Sequence, residues 1–158
     1  MIKKDIDSAY GRDLTMKDFT SVTADENRFE AGFSPNHPAI GGRFVANWYR
    51  YQSNSPGSLS LFGRILRDDG EWEHLAFVLR ADLSDGRYPI GPYGSDVSAI
   101  LAHSTGGSLV SAYEGEFDFQ RNPAANTIVA KFHFKLTERD VTYQVDDGTL
   151  YLHATGAL

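Results

Sequence analysis

The sequence predicts an all-β fold: an antiparallel β-sandwich, or a partly closed barrel, of about eight to ten strands built from hairpins. Three observations predict it. Apolar residues alternate with a period of two over most of the chain, and no stretch sustains a 3.6-residue period. Tracts of Gly, Pro, Asn and Asp punctuate that alternation at short intervals. Aromatic residues make up 13% of the chain and there are fifteen glycines; aromatic rings favour pleated surfaces, and glycine serves turns and bulges.

Residues 1–18 are polar and mixed and are read as a mobile or irregular segment, with Thr15 to Phe19 long enough for one helical turn. Residues 19–158 are read as a single all-β domain. Arg43 to Gln52 reads as one strand, with Phe44, Ala46 and Trp48 on the inward face. Val45, Asn47, Tyr49 and Tyr51 take the other face, which is expected to meet solvent. Ser53 to Gly57 breaks this strand.

Ser58–Leu66 and Glu71–Arg80 flank Asp68-Asp69-Gly70. A three-residue hairpin loop places a left-handed residue last, where Gly70 stands. That loop pairs Leu59 with Leu79, Leu61 with Phe77 and Gly63 with Leu75, whereas a two-residue loop sets Leu59 against Arg80. A slip of one residue turns each side chain to the wrong face, so the three-residue loop is the better solution. Between Asp85 and Gly94 the two prolines restrict the chain to edge strand or irregular structure, and Val97 to Ala102 reads as a further strand.

Ser108–Gln120 and Asn126–Leu136 form the next hairpin, joined through Pro123. Its inward set is Leu109, Tyr113, Phe117 and Phe119 against Ile128, Ala130, Phe132, Phe134 and Leu136. Its outward set opposes Glu114, Glu116 and Asp118 to Lys131, His133 and Lys135. The last hairpin is expected over Val141–Val145 and Leu150–Ala154, with Asp147-Gly148 at the centre of a type I′ turn. That register pairs Val145 with Leu150 and Tyr143 with Leu152.

A chain of 158 residues buries roughly two thirds of its unfolded surface without a disulfide or metal. It has no cysteine, so thiolate chemistry is excluded. The net charge of −6 and the absence of a basic run argue against nucleic acid as a partner. The first residues lack the apolar stretch of a signal peptide, and no run reaches a membrane-spanning length, so a soluble, cytoplasmic protein is the default expectation.

No constellation stands out as chemistry. The histidines at 37, 74, 103, 133 and 153 lack zinc-site spacing; His133 and His153 read first as solvated strand residues. Asp5 to Asp13 resembles a calcium loop only superficially, since Ala9, Tyr10 and Met16 occupy positions that need a ligand, glycine and glutamate. No nucleophile elbow and no phosphate loop is present. The acidic pairs of the third hairpin read as an ion-pair face. No catalytic residue, metal ligand or cofactor is assigned.

The most suggestive feature is aromatic. Asn47, Tyr49, Tyr51, Tyr88 and Tyr93 lie in or near segments rich in short polar residues, and form the candidate ligand-binding set. The competing reading places these rings in the core. Gly86-Arg87-Tyr88-Pro89-Ile90, Gly115-Glu116-Phe117-Asp118-Phe119, Phe132-His133-Phe134 and Asp147-Gly148-Thr149-Leu150 are the stretches that carry a resemblance. They resemble small uncharacterised bacterial all-β proteins, many of them exported or lipid-anchored. That resemblance covers about half the chain, implies no activity, and is not accompanied here by a signal peptide or lipobox cysteine.

The expected function is therefore a non-catalytic binding module for a glycan, a small amphipathic ligand or a protein. Alternatives are a lipocalin-like carrier with an interior cavity, and a hydrolase using His103 or His133 with carboxylates. An unmatched sheet edge would also allow a homodimer.

Overall fold

The computed structural model describes residues 3–14, 27–105 and 109–158. Alternation folds these residues into two facing sheets. In chain order the elements are α1 Lys3–Ala9, β1 Arg28–His37, β2 Gly41–Val45, β3 Trp48–Gln52, β4 Ser58–Leu66 and β5 Trp72–Arg80. They continue with β6 Gly86–Pro89, β7 Val97–His103, β8 Leu109–Ser111, β9 Glu114–Asn122, β10 Thr127–Glu138 and β11 Val141–His153. One sheet has the order β2-β1-β11-β10-β9-β6 and the other β3-β4-β5-β7-β8. The named strand pairs are antiparallel, and the sheets do not close on each other, so the architecture is a sandwich.

Phenylalanines fill the space between the sheets. Phe77 stands 4.6 Å from Phe117 and 4.7 Å from Phe132, centroid to centroid, and Phe29 lies 5.6 Å from Phe132. These separations fall in the favourable range for offset and edge-on rings.

One hairpin forms in the expected register, and a second opposes the expected outward sets. β4 and β5 pair Leu59 with Leu79, Leu61 with Phe77 and Gly63 with Leu75, and Gly70 takes φ +88° at the end of the loop. β9 and β10 set Asp118 against Lys131, Glu116 against His133 and Glu114 against Lys135 on the outward face. The irregular 85–94 region supplies only the short edge strand β6.

Three expectations are corrected. The first concerns the strand read from Arg43 to Gln52, which is broken at Ala46-Asn47 because the chain crosses there from one sheet to the other. Inward parity flips at the crossing. Phe44 is inward on β2, but Tyr49 and Tyr51 are inward on β3, and Trp48 faces the outside of the second sheet. Asn47 holds the break: its side-chain amide donates to Leu66 O and its Oδ1 accepts from Leu66 N–H, each at 2.8 Å.

The second correction concerns the C-terminus. Val145 and Leu150 do not pair; both belong to the continuous strand β11. The tight turn lies earlier, at Arg139-Asp140, which joins Glu138 to its partner Val141 with φ values of 49° and 66°. Asp146-Asp147-Gly148 instead forms a β-bulge, with Asp147 at φ 53°. Left-handed backbone at two successive non-glycine residues is strained. Replacing Arg139-Asp140 by Asn-Gly is expected to raise stability by about 0.5–2 kcal/mol, read from the urea midpoint.

The third correction concerns the strand expected from Ser108. It divides into β8 in one sheet and β9 in the other, which leaves Tyr113 exposed rather than inward.

The N-terminal segment packs on the outer face of the five-stranded sheet. Tyr10 joins Trp48, Phe62, Ala76, Ile100 and Ala102 in a second apolar cluster, with Ile6 and Leu14 at its margin. Burial pushes the Tyr10 hydroxyl pKa up to about 12, and that hydroxyl is hydrogen-bonded to Ser98. The helical turn expected at Thr15–Phe19, and the alternation beginning at Phe19, lie outside the described residues. The C-terminal tail covers the β3 edge, with Thr155 N–H donating to Tyr51 O and Ser53 N–H to Ala157 O. The other sheet edges, β2, β6 and β8, are five, four and three residues long. Among the described residues no helix is long and apolar enough to cross a membrane.

Candidate functional site

The outward side chains of adjacent strands make one surface on the six-stranded sheet. Across β1, β11, β10 and β9 this surface is hollowed into a trough of about 660 Å³. Its walls include Arg28, Asp118, Gln120, Lys131, Thr149 and Tyr151, with Asn27 at one end and Val129 among them. A neighbouring hollow of about 480 Å³ shares Gln120, Val129 and Tyr151 and extends the trough towards Pro123. The bulge in β11 lies beside it; an extra residue bends the strand and increases local twist. Among the described residues, Tyr151 and Val129 are two of the few large apolar side chains that are exposed, at 38% and 40%. The trough therefore combines an apolar centre with hydroxyl, amide and charged groups of both signs.

A second constellation lies at the ends of β1, β7 and β10. His37, His103 and Glu138 come from different strands and both sheets, and their side chains meet. His37 Nε2 donates to Glu138 Oε1 at 2.7 Å, and His103 Nε2 donates to Oε2 at 2.9 Å. A carboxylate offers only acceptors, so each Nε2 carries its proton. His37 Nδ1 accepts the Ala39 N–H at 3.0 Å, which makes that ring neutral. The imidazoles stack with centroids 5.1 Å apart, and Tyr143 packs on His37 at 4.9 Å. Arg67 pairs with the buried Glu73 and also donates to Ala39 O, tying the β4–β5 loop to the β1–β2 turn.

The aromatic candidates occupy other places. Tyr49 and Tyr51, expected to meet solvent, are buried in the core. The Tyr49 hydroxyl donates to Ala46 O, burial raises its pKa, and the Tyr51 hydroxyl has no hydrogen-bond partner among the described residues. Asn47 is exposed but its amide is spent on Leu66. Tyr88 is half-buried against Phe119 and donates to Ser84 O; Tyr93 is half-buried against Tyr10. The five do not gather on one face. His133 faces out beside Glu116 at 3.9 Å, and both side chains are about half exposed. His103 has a carboxylate partner, but the adjacent Ser104 hydroxyl accepts the Trp72 N–H at 2.9 Å.

Sequence reasoning did not single out Tyr151, although the period-two alternation that turns Leu150 and Leu152 inward turns Tyr151 outward. Adjacency of β9, β10 and β11 is what turns three outward faces into one trough. The chain matches no family model, no curated protein and no solved structure.

Proposed function

We propose that the protein is a non-catalytic binding module, and that its ligand is an oligosaccharide lying in the trough on the six-stranded sheet. The observation that carries this reading is the trough itself, with the exposed Tyr151 ring among closely spaced polar side chains. A sugar presents apolar C–H faces and hydroxyls in every direction. A tyrosine ring complements the faces, and mixed donors and acceptors complement the hydroxyls. Arg28, Lys131 and Asp118 supply charge of both signs, which suits a neutral or weakly charged chain better than a polyanion. The packed phenylalanine core favours this surface over an interior carrier cavity.

A glycan array with the full chain tests the proposal. Saturable binding to at least one oligosaccharide is expected, weakened at least tenfold by Tyr151→Ala with the melting temperature preserved. Binding unaffected by that substitution would move the site elsewhere. No glycan binding at all would end the sugar reading; a co-purifying protein that loses its hold on the Tyr151→Ala variant would replace it.

A further inference from the structure

The geometry of His37, His103 and Glu138 points to a further site: we propose that these three side chains bind one divalent cation of the zinc class. Two imidazoles and one glutamate are a donor set that zinc takes in sites with an open fourth position. The donor atoms lie within 4.8 Å of one another. Tetrahedral zinc with bonds of about 2.0–2.2 Å separates its ligand atoms by about 3.3 Å. The two histidine–glutamate separations, 2.7 and 2.9 Å, would open slightly, and no two donor atoms lie more than 4.8 Å apart, so small side-chain shifts bring the set to that spacing. All three residues are largely removed from water, with side-chain exposures of 4%, 10% and 12%. They stand on strand ends whose register is fixed by two sheets, so the donors are held together before any cation arrives.

One contact opposes the cation and makes the proposal specific. A metal-bound histidine ordinarily donates its second N–H to an acceptor. Here His37 Nδ1 receives the Ala39 N–H instead. When the metal takes Nε2 of His37, the single ring proton moves to Nδ1 and none is lost from that ring; His103 gives up its Nε2 proton in turn, to its own Nδ1 or to water. Two N–H groups then face each other, and the Ala39 amide turns away. Pro38 and Ala39 are exposed turn residues, so the movement needs no rearrangement of the core. Cation binding and a displaced Ala39 amide are therefore one event.

The test is calorimetric titration of tag-free, EDTA-treated and dialysed full-length protein with zinc chloride, together with ¹⁵N amide spectra. One equivalent is expected to bind saturably, with the Ala39 amide among the resonances that move most. Glu138→Gln keeps a hydrogen-bond acceptor and is expected to weaken binding at least tenfold. A His133→Ala/His153→Ala double variant is expected to bind as the parent does. The proposal is overturned by the absence of a one-equivalent site, by binding that survives Glu138→Gln but is lost in the double variant, or by an unmoved Ala39 amide. Should Glu138→Gln fail to fold, the spectrum of the unsubstituted protein decides.

Discussion

Gly148→Ala is expected to destabilise the protein by about 1–3 kcal/mol, and Gly148→Val by more. A Cβ at Gly148 would come closer than 3.0 Å to three atoms of the Phe132 ring. Phe132 cannot retreat, because Phe29, Phe77, Phe117 and Phe134 surround it. An interior packed like a crystal turns the insertion of one methyl into strain. The urea midpoint should fall with no change in slope. Phe132→Leu destabilises by itself but makes room, so the double variant should lose less than the sum of the two changes. Gly41 serves as a partial control, since a Cβ there meets nothing within 4 Å; its φ of +83° still imposes backbone strain. An unchanged midpoint in Gly148→Ala would mean that the bulge does not hold the Phe132 ring where it is described.

The same bulge explains what the sequence conveyed and what it concealed. Inward residues on β11 are Tyr143 and Val145 before Gly148, and Leu150 and Leu152 after it. The apolar pattern thus shifts from odd to even positions across Asp146-Asp147-Gly148. A two-residue hairpin turn produces that shift, and so does a single inserted residue in a continuous strand. Asp-Gly is preferred turn chemistry, whereas Arg139-Asp140 carries no glycine or asparagine to mark the turn that forms. Local pattern alone cannot separate these solutions; the length of β10 opposite both halves of β11 does. The crossing at Ala46-Asn47 has the same logic. Alternation runs through it unbroken, but the two sheets face each other, so the meaning of each parity reverses. In β4–β5 a glycine marked the end of a short loop and one register alone matched the apolar faces, so the pairing was legible in full. The histidine–glutamate cluster was not legible, because His37 and His103 stand 66 positions apart on different sheets, and only the packing of one sheet on the other brings them together.

Stability should fall as the pH drops from about 7 towards 5, through one buried histidine. His74 lies under the N-terminal segment, where Nε2 donates to Tyr10 O at 2.7 Å and Nδ1 accepts from Arg64 Nε at 3.1 Å. Both nitrogens are engaged with the ring neutral, and a second proton would have to displace Arg64. Burial first, and then the Arg64 charge, hold the His74 pKa well below its ordinary 6.5. The folded state therefore binds fewer protons at this position than the unfolded chain. Its contribution is complete above pH 6.5 and declines as the pH falls from there towards the depressed folded value. His74→Gln should flatten this part of the profile, and Arg64→Met should reduce it by removing the second cause. Arg64 also has a large effect of its own. Its guanidinium lies 3.9 Å from the Trp72 ring centroid and 5.5 Å from that of Trp48, and donates to Gly11 O. Arg64→Ala would leave His74 Nδ1 and Gly11 O without this donor and open a cavity, at a cost of about 3–5 kcal/mol. Urea midpoints measured from pH 5 to pH 8 separate the effects. If the parent, His74→Gln and Arg64→Met lose stability in parallel, the acid sensitivity lies in carboxylates elsewhere. If only the parent slopes steeply, proton exclusion beneath the N-terminal segment is what ties residues 3–14 to the sheet.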